Sequence, residues 1–166
     1  MYRNKVKFFD KNIIRKSKLS DKNLLFFKDS NIAMPSVFEI SNSGMCNRKC
    51  AFCPRSDPDY EHINEFIEEK LYKKIIDELS YHDYSGTIIF SGYVEPLLHK
   101  RIYSDIEYAR KKLPKLNLEV ITNGDPLTDK NTKKLYDAGL SVLLISAYDG
   151  PEQITKFNAM MKRLNI

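Results

Sequence analysis

Four short apolar runs, each followed by a helix-like stretch, constrain this chain more than any other feature. The runs are Val37–Ile40, Thr87–Phe90, Leu118–Ile121 and Val142–Ile145. They are rich in apolar and β-branched residues, and the second and fourth are nearly continuous in apolar character. Strands buried on both faces of a parallel sheet have that composition. Strand–helix units in series imply a parallel sheet with right-handed crossovers. A doubly wound sheet and part of a (βα) barrel both satisfy the pattern. No Gly-x-Gly-x-x-Gly follows any run, which argues against a dinucleotide-binding fold.

The intervening stretches carry helical signals. Ile67, Leu71, Ile75 and Leu79 recur every four residues and predict one apolar helix face, with Asn64 as the cap and Glu65, Glu68 and Glu69 at the positive end. Ile102, Ile106, Ala109 and Leu113 form the next stripe, with Arg110, Lys111 and Lys112 at its C-terminal end and Pro114 as the stop. Thr128 caps a third helix that runs through Leu135 and Tyr136 to Gly139. Pro151 opens a fourth, with Ile154, Phe157, Met161 and Leu164 on one face and Met160 and Met161 as core filler.

The length of 166 residues suits one domain with its own core, and 42% hydrophobic and 30% charged residues are globular values. No apolar run approaches the roughly 20 residues of a membrane helix. The N-terminus leads into no long apolar region of the kind that directs secretion, so the expected compartment is the cytoplasm. Residues 1–22 hold eight Lys or Arg against Asp10 and Asp21, within a net charge of +5. Residues 1–34 therefore read as a basic N-terminal segment, solvated or packed through Phe8, Phe9, Phe26 and Phe27, ahead of a domain at 35–166. The basic residues form no recognisable nucleic-acid-binding module or stacking platform.

All three cysteines lie within eight residues, Cys46, Cys50 and Cys53, just after the first strand. Close thiols in a chain without a secretory signal favour metal or redox chemistry over a disulfide framework. Thiolates suit iron–sulfur clusters or zinc. A structural zinc site wants four closed ligands, and His62, nine residues past Cys53, would complete a Cys3His set in a non-catalytic interaction module. His82 and His99 read as surface or satisfied residues. A four-iron cluster on these cysteines would leave one iron open to a small molecule. The other strands also end in unusual loops: Ser91–Pro96, Thr122–Asp125 and Ser146–Gly150. Parallel strands bring all these loops to one face, where active sites gather.

Cys46-x-x-x-Cys50-x-x-Cys53, with Phe52 before the last cysteine, resembles the signature of the radical S-adenosylmethionine (SAM) superfamily. The run Gly44–Arg55 is similar to members related to its SPASM and twitch-domain branches. Ser91–His99, Thr122–Gly124 and Ile145–Gly150 resemble the loops after the second, third and fourth strands of that family. The resemblance covers about residues 35 to 150. It implies a partial (βα) TIM-like barrel in which Cys46, Cys50 and Cys53 bind a [4Fe-4S] cluster. S-adenosyl-L-methionine would chelate the fourth iron. Gly92 and Glu95 would meet its methionyl ammonium, Phe52 would border the adenine, Ser146 would approach the ribose or carboxylate, and Asn123 would share the pocket or meet substrate.

The activity so implied is reductive cleavage of SAM to a 5′-deoxyadenosyl radical that removes a hydrogen from a peptide, sugar or small metabolite. The electron would come from a donor such as flavodoxin or ferredoxin. Arg48 and Lys49, between the ligands, read either as solvated charges or as groups that raise the cluster potential. Glu95, Asn123–Gly124, Ser146 and Asp149 also fit plain turn or capping roles.

Two departures stand out. Val94 occupies a position where the family usually has glycine, and a β-branched residue resists positive φ and crowds a ligand. The family core usually has six βα units, and this sequence shows four. The expectation is a truncated, split or degenerate domain, whose open edge beside the fourth strand is covered by a partner, by the N-terminal segment or by a second copy.

Overall fold

The computed structural model describes residues 25–166. The basic stretch 1–22, with Phe8 and Phe9, lies outside the described residues. Four parallel strands form one sheet in the order β1-β2-β3-β4: β1 Val37–Ile40, β2 Thr87–Phe90, β3 Asn117–Thr122 and β4 Val142–Ile145. Glu39, Ile89, Glu119 and Val142 lie side by side across it. Among the described residues the first and last strands each have a single neighbour, so the sheet is open there, as in a partial barrel. Burial follows position: every residue of β2 is buried, whereas all four of β4 are only half-buried.

Helices α1 Glu69–Tyr81, α2 Ile102–Lys112, α3 Asp129–Asp137 and α4 Pro151–Leu164 follow the strands in turn. Their buried residues join Ile88, Phe90, Leu118 and Val120 of the sheet in one core. Each fully buried aliphatic side chain there contributes about 1.5–3 kcal/mol. In α2, Ile102, Ile106 and Ala109 are buried as the stripe predicts, and Leu113 beyond its end is buried too. In α3, Thr128 Oγ1 accepts from the Asn131 N–H at 3.2 Å, and Asn131 Oδ1 accepts from the Thr128 N–H at 2.7 Å. That reciprocal box supplies the predicted start. Tyr72, fully buried in α1, donates its hydroxyl to the Asp105 carbonyl at 2.7 Å and ties α1 to α2.

Two helix readings need correction. Asn64 caps nothing; α1 begins five residues later, behind Glu68, and buries Tyr72, Ile76 and Leu79, leaving Leu71 50% exposed. The residues before it are drawn into an extended arm. Ser43 and Phe66 form an antiparallel bridge, Gly44 N–H donates to the Glu65 carbonyl, and Ile67 N–H donates to the Asn42 carbonyl. Pairing with the cysteine loop thus overrides local helix propensity. In α4, Phe157 and Met160 are buried and Ile154 is 55% exposed, because no strand lies beyond β4 among the described residues to cover it.

Residues 25–34 fold back on the body of the domain. Met34 is buried, and Leu25 and Phe27 pack against the core, while Phe26 stays exposed. Among the described residues no helix is long and apolar enough to cross a membrane.

Candidate active site

A cavity of about 260 Å³ opens at the C-terminal ends of the strands. It is lined by Cys46, Cys50 and Cys53, by Phe52, by Gly92 to Glu95, by Ile121 to Asn123, and by Arg48 and Tyr148. A larger depression along the solvent face of α1, of about 940 Å³, is lined by charged residues and Tyr81 and has no thiol. Chemistry, not size, identifies the site.

The cysteine loop is built to present its sulfurs. All three thiols are free and half-buried. The Cys53 N–H donates to the Cys50 carbonyl at 2.9 Å, which closes the turn that brings these two together. The Arg48 N–H donates to Cys46 Sγ at 3.4 Å, and Asn123 Nδ2 stands 3.9 Å from the same sulfur. Both donors point at the sulfur. Burial pushes the Cys50 thiol up, and the Arg48 charge opposes that shift. Arg55 anchors the far end of the loop from a buried position. Its Nη1 donates to the carbonyls of Gly44 at 2.9 Å and Tyr93 at 3.3 Å.

For the zinc alternative, the structure shows where His62 lies. His62 is absent from the cavity wall, and its Nδ1 lies 3.1 Å from Arg55 Nη2. Among the described residues no group of three His, Cys, Asp or Glu side chains converges on a single metal ion. One zinc ion would draw its sulfurs in to about 2.3 Å from itself. A four-iron cluster gives each thiolate its own iron, and all three cysteines line this one cavity.

The second loop is fixed by Gly92 and Glu95. Gly92 has φ +118°, and a Cβ there would lie 2.4 Å from Ser41 Oγ, so only glycine lets this loop approach the first. Glu95 is 1% exposed. Its Oε1 accepts from the Thr122 hydroxyl at 2.8 Å and the Leu97 N–H at 3.1 Å, and its Oε2 accepts from the Asn123 N–H at 2.8 Å. Burial raises its pKa above the ordinary glutamate value, and the three donors oppose that rise. The backbone part of the concern over Val94 does not arise: positive φ among described non-glycine residues occurs only at Asp29, Asp83 and Asn165. Val94 holds ordinary backbone geometry and lines the cavity half-buried.

Asn123 joins the loops. Its Nδ2 donates to Asn47 Oδ1 at 2.9 Å, and its Oδ1 accepts from the Asp125 N–H at 2.9 Å. Phe52 is 70% exposed, and its ring lies 5.1 Å from that of Tyr148.

The fourth loop differs from expectation. Ser146 does not line the cavity; its N–H pairs with the Thr122 carbonyl, which continues the β3–β4 ladder one residue past the strand. Tyr148 and Asp149 carry this loop's contribution instead. Arg48 extends from between the cysteines to Asp125 and Asp149. Its Nε donates to Asp125 Oδ2 at 2.6 Å, and its Nη1 donates to Asp149 Oδ1 at 2.8 Å. No local pattern signals this fork, or Tyr148, beyond their membership of site loops, because the pairs span 77 and 101 residues.

Comparison with known proteins agrees with this geometry. Residues 40–164 match the Radical SAM superfamily. The chain is 30% identical, over 129 residues, to the S-adenosyl-L-methionine-dependent 2-deoxy-scyllo-inosamine dehydrogenase of Niallia circulans, covering 78% of this chain and 50% of that protein. It is 35% identical over 115 residues to the Fe-coproporphyrin III synthase of Methanosarcina barkeri, covering 69% of this chain and 28% of the relative. The crystal structure of BtrN in complex with AdoMet and 2-DOIA superposes with a TM-score of 0.69 at 28% identity, covering 78% of this chain and 52% of BtrN. The chain therefore spans about half the length of the first of these relatives.

Proposed function

This chain belongs to the radical SAM superfamily, whose cofactors are a [4Fe-4S] cluster and SAM, and from that membership we propose that it is an enzyme domain that initiates radical chemistry on an organic substrate. One observation carries the reading: three free thiols and a buried carboxylate line the same cavity at the strand C-termini. When bound, the cofactors supply reductive cleavage of SAM to a 5′-deoxyadenosyl radical that abstracts a substrate hydrogen.

In this proposal Cys46, Cys50 and Cys53 hold the cluster and leave one iron free. Glu95 receives the SAM ammonium, because a carboxylate with two oxygens has acceptor capacity left after three internal bonds. Gly92 keeps the second loop close enough to the cysteine loop for both to touch one ligand. Phe52 offers an apolar face to the adenine. Asn123 holds Asn47 and stands near Cys46, so its part is to fix the ligand loop.

We also propose that residues 35–166 act as a partial domain whose open β4 edge needs a cover, and that an external donor such as flavodoxin or ferredoxin supplies the electron. The compartment we infer is the cytoplasm, because reduced thiolates persist there.

Anaerobic reconstitution tests the reading. Expected are about four irons per chain, a reduced-cluster spin-resonance spectrum that changes when SAM is added, and 5′-deoxyadenosine above the level of a Cys50→Ala control. A spectrum indifferent to SAM refutes the cofactor assignment. A responsive spectrum without 5′-deoxyadenosine supports the second reading, a non-catalytic cluster-binding remnant.

A further inference from the structure

We propose that Arg48 is a positioning residue that clamps the cysteine loop to the loops after β3 and β4, and so sets both the thiolates and the aromatic wall of the cavity. This rests on the cofactor reading above for its spectroscopic consequence, but not for its structural one.

Arg48 sits between Cys46 and Cys50, and its backbone N–H already meets the Cys46 sulfur. Its guanidinium faces two carboxylates from two different loops. Nε and Nη2 take Asp125 from the loop after β3; Nη1 and Nη2 take Asp149 from the loop after β4, at 2.8 and 2.6 Å. The planar fork of arginine makes both engagements bidentate, which a lysine cannot do. Each partner is held by a second contact. Asp125 Oδ2 also accepts from Asn47 Nδ2 at 2.9 Å, and Asp149 Oδ2 accepts from Gln153 Nε2 at 2.7 Å. Gln153 belongs to α4, so the clamp reaches from the cysteine loop to the last helix.

The Arg48 side chain is 16% exposed, while Asp125 and Asp149 are 35% and 54% exposed, so the network differs from an ordinary surface pair in its doubly bidentate geometry. Next to Asp149, Tyr148 lies with its ring 6.0 Å from the Arg48 guanidinium carbon and 5.1 Å from Phe52. Phe52 has no other ring neighbour among the described residues and is largely exposed. Release of Arg48 therefore frees the cysteine loop and removes the support of Phe52 together. Among the described residues β4 has no outer neighbour, so the clamp is one of the contacts that hold its loop in place.

The test uses the full chain with Arg48→Gln, Arg48→Lys and Asp149→Asn. Hydrogen exchange on the metal-free protein reads the clamp directly. We expect Arg48→Gln to speed exchange roughly tenfold in the segments 46–53 and 146–150 together, with α2 unchanged. Arg48→Lys should restore less than half of that loss on a logarithmic scale, since charge returns without the fork. In the reconstituted protein the SAM-induced change in the spin-resonance spectrum should need at least tenfold more SAM in Arg48→Gln, with iron content preserved. Asp149→Asn should move both readouts in the same direction. Unchanged exchange in Arg48→Gln overturns the clamp whatever the cluster does. Full recovery by Arg48→Lys overturns the fork geometry. If wild-type protein takes up iron but its spectrum ignores SAM, the cofactor reading fails while exchange still decides the clamp.

Discussion

Replacing Glu95 by glutamine separates the two roles proposed for this side chain. The amide keeps the volume and one acceptor oxygen. Placed at the Oε1 position, that oxygen still serves Thr122 and Leu97, but the NH2 group then faces the Asn123 N–H, which is a donor. One buried donor is left unmet, at a cost of about 1–3 kcal/mol. The reverse placement disrupts the two contacts on Oε1, so the first is preferred. With a urea dependence of about 1–3 kcal/mol per molar for a small domain, the midpoint should fall by roughly 1 M with unchanged slope. SAM should suffer separately. Loss of a charge-assisted bond to its ammonium is worth about 1.5–3 kcal/mol, or roughly a 10- to 150-fold weaker dissociation constant. Urea unfolding followed by circular dichroism measures the first effect, and titration of the reduced cluster's spectrum measures the second. A stability loss with unchanged SAM affinity would make Glu95 a loop tie only. Unchanged stability would refute the buried three-donor geometry itself.

The same residue gives a pH test. Burial raises Glu95 above its ordinary value of 4.5, so the folded state keeps the proton to higher pH than the unfolded state. Its contribution to stability is therefore fully present below the unfolded value and is lost as pH rises through the folded one. Relative to Glu95→Gln, the wild type should gain stability as pH falls from neutral toward 4.5, while its SAM affinity falls over the same window because the ammonium needs the carboxylate. Ser146→Ala should leave SAM affinity unchanged and Tyr148→Ala should weaken it several-fold, both read by the same titration, since only Tyr148 lines the cavity. Leu118→Ala, fully buried in a central strand, should cost about 2–5 kcal/mol in denaturant unfolding.

The parts of this protein that were legible from sequence are those in which one local pattern decides the outcome. The four strands declare themselves because short β-branched runs have few alternatives. Helices α2 and α3 follow their stripes because Pro114 and the Thr128–Asn131 box fix their ends. Helix α1 was misread for the opposite reason. Ile67 and Leu71 fit a helical period, but the Ser43–Phe66 bridge holds the preceding arm extended, and such a pairing across 23 residues leaves no local trace. The site divides in the same way. The three cysteines and Glu95 stand on short loops directly after strands, where parallel topology alone brings them together. Ser146 stands outside the cavity wall because the β3–β4 ladder continues through its N–H, which leaves Tyr148 as the residue of this loop that lines the cavity.

That placement bears on how half a barrel can hold a site at all. In a closed barrel each loop is braced by neighbours on both sides, and the loop after β4 would lean on the next βα unit. Here β4 is half-buried throughout, and Leu143, Ile145, Ile154, Phe157 and Met161 line an open groove beside it. Among the described residues the contacts that brace this loop come from α4, Gln153 to Asp149, and from the β1 side, Arg48 to Asp149 and Phe52 to Tyr148. A chain with an exposed flank has reason to tie its last loop to its first, and the loop chosen for the tie is the one that bears the cysteines. The geometry of the thiolates and the stability of the open edge are thereby coupled. Anything that covers the groove beside β4 should also slow exchange in the cysteine loop, which lies on the opposite side of the cavity.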